Sequence, residues 1–249
     1  MNKGKSTYFL SDLHLGASYD SDSRAREKKV VSFLESIRED AEAVYLLGDV
    51  LDYWFEYRYV VPRGYTRFFG KLAELADAGI KIVWLKGNHD IWIYDYLPNE
   101  LGIEVVDGNL EREIQGKKVF MSHGDGVGKI EGSFKLIRKI FRNRFLQKMF
   151  SGIHPRWTVP FAYNWSSHSR KGGEQRGIPD ESLLKNLRAF TNEYHQLHPE
   201  IEYFIYGHVH VLSREEIEDG CEMIVLGDWL YTFSYAKMCE GNLVLLQYV

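Results

Sequence analysis

The chain has 249 residues, 45% hydrophobic and 27% charged, with a formal net charge of −4. That is the make-up of an ordinary globular protein with enough chain for one substantial core. Only two cysteines occur, Cys221 and Cys239, and no apolar run is long enough to span a bilayer; a disulfide framework, a CxxC metal knuckle and a membrane-spanning helix are excluded.

Ser6 to Ser11 reads as a first strand that runs straight into Asp12 and His14. The apolar run after Met1-Asn2-Lys3-Gly4-Lys5 is too short for a signal peptide. Ser23 to Arg38 carries Val30, Val31, Phe33, Leu34 and Ile37 at helical spacing. Ala43 to Leu47 is a continuous apolar strand ended by Gly48-Asp49, and Tyr65 to Ala78 a helix stopped by Gly79. Ile80 to Leu85 is a third strand, ending at Lys86-Gly87-Asn88-His89-Asp90. This alternation predicts a parallel sheet with crossover helices, whose ligands bind beyond the carboxyl ends of the strands.

Short strands follow over Ile103–Val106, Leu110–Ile114 and Lys117–Met121, the last ending at Ser122-His123-Gly124-Asp125. A helix is expected over Glu181–Leu197, then a strand over Glu202–Tyr206 ending at Gly207-His208-Val209-His210. Further strands, Val211–Ile217, Glu222–Leu226, Tyr231–Met238 and Leu243–Gln247, suggest a mostly antiparallel second sheet. We expect residues 1–249 to form a single α/β domain, with residues 126–178 inserted as a basic, aromatic helical cap. Between Lys129 and Arg176 there are eleven Lys/Arg and two Asp/Glu, which points to an anionic partner facing that segment. Ser133 to Phe150 reads as one basic amphipathic helix. Ile153 to Gly173 is a Pro-, Trp- and Ser-containing stretch within the same cap.

Five clusters share one arrangement: strand, short turn, then Asp, Asn or His. Asp12, His14, Asp49, Asn88, His123, His208 and His210 supply two carboxylates, an amide oxygen and four imidazoles. That is too many donors for one ion and suits two divalent ions that share a carboxylate, with Asp49 the natural bridge. The oxygen and imidazole mixture favours manganese, with iron or zinc as alternatives. Such a pair readies a hydroxide for attack on phosphorus. His89 is expected to point away from the ligands and to donate to the leaving or a non-bridging oxygen, with Asp90 fixing its tautomer. Asp52 and Asp125 are expected behind the ligands or in turns. Any one of these short motifs alone is more often a turn or a satisfied surface pair; the force lies in five of them falling at strand ends. The other four histidines, His154, His168, His195 and His198, lack such a setting.

The five clusters, in this order, resemble the calcineurin-like metallophosphoesterases. That resemblance implies two stacked sheets flanked by helices. It implies one ion held by Asp12, His14, Asp49 and His210, and the other by Asp49, Asn88, His123 and His208. Ser11-Asp12-Leu13-His14-Leu15-Gly16, Gly48-Asp49-Val50-Leu51-Asp52-Tyr53-Trp54-Phe55 and the basic Phe-Arg-Asn helix are similar to the family's lipid A branch. The resemblance to that branch implies attack on the diphosphate of UDP-2,3-diacylglucosamine, releasing UMP and a diacylglucosamine 1-phosphate. The best-known members of the branch have arginine where His89 stands; histidine is the wider family's choice.

Substrate contacts are expected from Asn88, His89, Glu131, Arg138, Ser169, Arg170, Lys171 and His208. In the cap, Phe141, Phe145, Met149 and Phe150 would line an acyl groove, and Arg138, Arg142 and Arg144 would meet phosphate or headgroups; the alternative is a helix packed on the body with solvated lysines. The reading implies a lipid-linked nucleotide sugar as substrate, no protein partner, and a cytoplasmic chain peripheral to the inner face of the inner membrane. Two other readings are a phosphodiesterase or nuclease, with the basic cap tracking a phosphate backbone, and a non-catalytic scaffold. The absence of a second basic region counts against nucleic acid.

Overall fold

The computed structural model describes residues 5–17, 22–129, 132–174, 181–218 and 220–249; for 133 and 165–174 it describes the backbone alone. Strands β1 (Ser6–Leu10), β2 (Ala41–Leu47) and β3 (Lys81–Leu85) pair in parallel, joined through helices α1 (Ser23–Ser36) and α2 (Thr66–Asp77). A short helix that periodicity did not reveal, α3 (Tyr96–Leu101), leads to β4 (Glu104–Val106), parallel to β3. Strands β5 (Leu110–Ile114) and β6 (Lys117–Ser122) form a hairpin that opens a second sheet.

Helices α4 (Gly132–Phe141), α5 (Arg144–Ser151) and α6 (Pro155–Glu174) come next, then α7 (Glu181–Leu197) and β7 (Ile201–Tyr206), parallel to β6. The last strands are β8 (Leu212–Glu216), β9 (Glu222–Leu226), β10 (Ser234–Cys239) and β11 (Asn242–Gln247).

The expected C-terminal antiparallel sheet is not formed. Strands β10 and β11 complete the first sheet, in the order β11-β10-β1-β2-β3-β4, and β8 and β9 complete the second, β5-β6-β7-β9-β8. The physical reason is the alternation of side chains. Ala236, Met238 and Leu243 point into the layer between the sheets, so β10 and β11 must lie where that layer needs them, beside β1. The second sheet pairs β6, β7 and β9 in parallel and keeps antiparallel pairing for its two edges.

Period-two alternation builds four layers. Tyr8, Leu10, Val44, Leu46, Ile82 and Trp84 face α1 and α2, against Phe33, Phe68 and Leu72. Phe9, Tyr45, Leu47, Val83 and Leu85 face the second sheet, meeting Met121, Ile205 and Ile224. Phe120, Phe204 and Tyr206 face α7. Strands buried on both faces read as continuous apolar runs, as β1, β2 and β3 do. Of the seven parallel strands, β1, β2, β3, β6, β7 and β9 send their carboxyl ends to one rim.

The single helix expected over Ser133–Phe150 is two helices. Asn143 is extended (φ −74°, ψ 115°), and its side chain accepts from the amides of Phe145 and Leu146 at 3.0 and 3.1 Å. Asparagine is a strong N-cap, and here it restarts the helix in a new direction. The stretch after Ile153, unassigned by periodicity, is α6; Pro155 opens it and Pro160 lies within it. Among the described residues no helix is long and apolar enough to cross a membrane.

Candidate metal centre

Each strand end is sewn to its neighbour by backbone hydrogen bonds. The amide of Asp12 donates to Gly48, that of His14 to Asp49, that of Gly207 to His123 and that of Trp229 to Asp12 (3.0–3.1 Å). Two glycines are required by contact. A Cβ on Gly87 would strike the Asp49 carboxylate and amide, and one on Gly207 would strike the Ser11 hydroxyl. Nine described non-glycine residues have positive φ, and five of them are Asp12, His14, Asp49, His208 and His210. Left-handed backbone at residues other than glycine costs free energy and concentrates at functional sites.

The seven predicted donors, scattered from 12 to 210, meet at this rim. Asp12 Oδ1 lies 3.5 Å from His14 Nε2 and 3.4 Å from His210 Nε2. Asp49 Oδ2 lies 3.8 Å from His14 Nε2 and 3.4 Å from His123 Nε2, so it faces both halves of the cluster. Asn88 Oδ1 is 3.3 Å from His123 Nε2, and the His208 ring stands 5.1 Å from that of His123. Two groups, Asp12-His14-His210 and Asp49-His123-His208, each bring three donor atoms within 4.8 Å of one another. Donors about 2.1 Å from a common ion lie roughly 3.0–3.4 Å apart, so the spacing suits shared cations better than direct hydrogen bonds.

The orientation of each ring supports this. His14 Nδ1 faces Asp52 Oδ1 (3.5 Å), His123 Nδ1 faces the Leu47 carbonyl (2.8 Å) and His210 Nδ1 faces Asp228 Oδ2 (3.3 Å). An acceptor at Nδ1 keeps the proton there and leaves the Nε2 lone pair for the centre. Asp12 Oδ2 accepts from Ser11 Oγ (2.5 Å) and the His208 amide (2.8 Å), while the buried Asp12 Oδ1 has no hydrogen-bond partner. A buried carboxylate oxygen left open among imidazole nitrogens is the place for a cation. The residues therefore fit a pair of divalent ions.

Electrostatics agree. Burial penalises ionised Asp12, yet His210, His14 and His123 hold its carboxyl well below the usual range. Burial is likewise outweighed at Asp49, which His123, His89 and His14 hold low. Burial, then the neighbouring His123, pushes His208 down to about 4, whereas at His123 burial is outweighed by Asp49 and Asp12, which hold its imidazole well above the usual range.

Two expectations are corrected. His89 does not point away: its Nε2 ends 3.9 Å from Asp49 Oδ2 and its ring meets His14 edge-on at 5.0 Å. Asp90 does not set its tautomer. The Asp90 oxygens accept from the amides of Val50 and Gly87 and from Trp84 Nε1, which locks the loop in place. The acceptor at His89 Nδ1 is the Asp52 carbonyl, at 2.9 Å. Burial, then the charge of Asp49, pushes Asp90 up to about 6. Asp228 was missed, although Gly227-Asp228 after β9 repeats the strand–Gly–Asp signal of Gly48-Asp49. Asp125 accepts from Arg138 Nε at 3.0 Å, so Arg138 braces α4 to the His123 loop. Glu131 lies outside the described residues. Ser169, Arg170 and Lys171 lie on α6, where only the backbone is described.

A groove of about 400 Å³ opens beside the cluster. Asp52, Asn88 and His89 form its polar end, and Phe55, Trp92, Phe134, Ile137, Phe141 and Phe150 line its walls. Phe145 and Met149, expected to line it, point outward instead, 69% and 59% exposed. The cap is held to the body by the same walls: Phe150 packs on Phe55 (4.9 Å) and Trp92 (5.8 Å), and Trp92 Nε1 donates to the Phe141 carbonyl (3.0 Å).

Two stacked mixed sheets with a His/Asp cluster at their shared rim define a class, and the chain belongs to it: the calcineurin-like phosphoesterase family, whose profile matches residues 6–212. It is thus a hydrolase of a family that works with divalent metals. The chain is 42% identical to the UDP-2,3-diacylglucosamine hydrolase of Porphyromonas gingivalis, over 96% of its own length and 95% of the relative's. It is 28% identical to the enzyme of the same name from Neisseria meningitidis serogroup C, with the same coverage. Among solved structures, the Escherichia coli phosphoesterase Yfce aligns with 97% of this chain and 92% of its own at a TM-score of 0.49 and 14% identity.

Proposed function

We propose that the chain hydrolyses the diphosphate bond of UDP-2,3-diacylglucosamine, giving UMP and 2,3-diacylglucosamine 1-phosphate. The near full-length likeness to the Porphyromonas gingivalis enzyme supports the substrate. The observation that carries it is the groove, polar at the His89 end and apolar beyond, which suits a molecule with a diphosphate at one end and acyl chains at the other.

In this reading Asp12, His14, Asp49 and His210 would hold one ion, and Asp49, Asn88, His123 and His208 the other. The two ions are divalent, manganese by preference. When bound, such a pair supplies a hydroxide near neutral pH and neutralises charge on the phosphoryl oxygens. The Asp52 carbonyl accepts from His89 Nδ1–H and orients the ring so that Nε2 faces the reacting phosphate; as the imidazolium, His89 gives its Nε2 proton to the leaving oxygen and is left as the Nδ1–H tautomer. Asn88 and His89 close the polar end of the groove, and residues 126–178 act as the cap that excludes water from it. Asp90 contributes by holding the loop, not by touching substrate.

We assign the outward face of the cap to contact with a membrane surface. Phe145, Met149 and Trp157 are 69%, 59% and 71% exposed, beside Lys148 and Arg156, a pairing of apolar and basic groups that suits an anionic lipid surface. The unpaired Cys221 and Cys239 accord with a reducing compartment, hence the cytoplasmic face of the inner membrane.

The test is mass spectrometric detection of UMP from UDP-2,3-diacylglucosamine with manganese, run beside bis(p-nitrophenyl) phosphate and an oligonucleotide. UMP release from the lipid substrate is expected. Cleavage of the oligonucleotide without UMP release overturns the assignment.

A further inference from the structure

Away from the metal cluster, three cations gather where the body meets the hinge between α4 and α5. Lys86, just after β3, has a side chain only 9% exposed. Its Nζ makes no hydrogen bond among the described residues; its nearest carboxylate is Asp107, at 4.0 Å, and the Tyr94 ring lies 5.7 Å away. Arg144 stacks over the same ring at 5.4 Å and has no ion pair among the described residues. Arg142 pairs with Asp107 through Nη1, while its buried Nε has no partner, and neither has the buried hydroxyl of Tyr94.

One carboxylate thus answers three cations. Glu56 adds negative charge at longer range, but its oxygens are taken by Trp54 Nε1 and the amides of Tyr94, Asp95 and Tyr96. None of the three cations touches the metal cluster. Burying a charge without a bonded partner is costly, and native structures do so where a ligand completes the set. Arg142 lies in the break between α4 and α5, and Arg144 opens α5, so the cations come from both sides of the hinge.

We propose that Lys86, Arg142 and Arg144, with the Tyr94 hydroxyl, form a phosphate-binding site at the cap hinge, separate from the metal centre. A phosphate dianion supplies the missing charge and can accept from the ammonium, the guanidinium Nε–H and the phenol together. Its occupancy ties α5 to the loop that continues into Gly87-Asn88-His89. The site stands whether or not the substrate assignment holds, because its readout is binding.

The ligand is either a free phosphate or the headgroup of an anionic lipid, and two measurements separate these. Unfolding midpoints of the metal-loaded chain, Lys86→Met and Arg144→Gln are compared in inorganic phosphate and in chloride at equal ionic strength. In chloride Lys86→Met is expected to unfold no lower than the parent, since an uncompensated buried charge has gone; in phosphate the parent rises several degrees more than either variant. Phosphate bound at the metals cancels in this comparison. Flotation with phosphatidylglycerol or phosphatidylcholine vesicles then compares a Lys86→Met/Arg144→Gln double variant with a control of equal charge, Lys28→Gln/Lys185→Gln, whose lysines are exposed and lie outside the cap.

A phosphate-specific difference alone identifies a free anion. A loss of phosphatidylglycerol binding at least tenfold greater than in the control identifies a headgroup. If the phosphate and chloride shifts match in all three proteins and the two double variants float alike, the site does not exist.

Discussion

At the scale of single residues, the centre works because each donor has its other side occupied. His210 is held by Asp228, whose second oxygen also organises the turn through the amides of Leu230, Tyr231 and Thr232. Asp228→Asn keeps an acceptor for the turn but presents an NH2 to His210 Nδ1–H. One of the two metal affinities is therefore expected to fall about 10–100-fold, read by stepwise metal titration. His89→Ala is expected to lower turnover by roughly 10²–10⁴-fold with metal content unchanged by elemental analysis; loss of metal instead would make His89 a ligand. That question is real because His89 Nε2 stands within the reach of His14 and Asp49.

Among the elements, the cap helices are where sequence patterning misled most. A basic stripe with many aromatics was compatible with either a groove or a helix packed on the body, and α4 and α5 do both. Phe141 and Phe150 pack on Trp92 and line the groove, while Phe145 and Met149 face solvent. The break at Asn143 decides this, since it turns α5 relative to α4 and gives the two helices different inner faces. Phe150→Ala is expected to raise KM for the lipid substrate about tenfold, the worth of part of one buried apolar side chain. Hydrolysis of bis(p-nitrophenyl) phosphate should not change; an equal loss on both substrates would mean that Phe150 only holds the cap. The arginines divide as well: Arg138 pairs with Asp125 and Arg142 with Asp107 through Nη1, while Arg144 has no ion pair among the described residues.

For the whole molecule, tyrosines set the alkaline limit. Burial pushes Tyr8 and Tyr94 up to about 12, and raises Tyr53, Tyr65 and Tyr206 further. A raised pKa means the folded state keeps a proton that the unfolded chain loses near 10. This stability is complete below about pH 10 and is lost as pH rises through the folded values near 12. Denaturation midpoints measured from pH 8 to 12 should hold steady to about 10 and then fall, with part of the 295 nm phenolate absorbance appearing only on unfolding. A full phenolate signal from the folded chain at pH 11 would contradict the burial of these hydroxyls. Chelation of the metals should lower the midpoint at neutral pH too, because ions that bind only the folded state add to its stability.

Much of this protein was already set by its order of residues. The strands β1, β2 and β3, the helix α7 and the seven candidate donors follow from local pattern: apolar runs ended by a glycine or short turn and a polar donor repeat six times, once unnoticed at Gly227-Asp228. Local pattern can do this because strand, turn and cap preferences act over a few residues. Which sheet β10 and β11 join, where α5 turns, which way His89 faces and which charge answers Lys86 depend on groups up to two hundred positions away. Those outcomes were decided only when the layers packed, since burial, contact and charge compensation belong to neighbours in space.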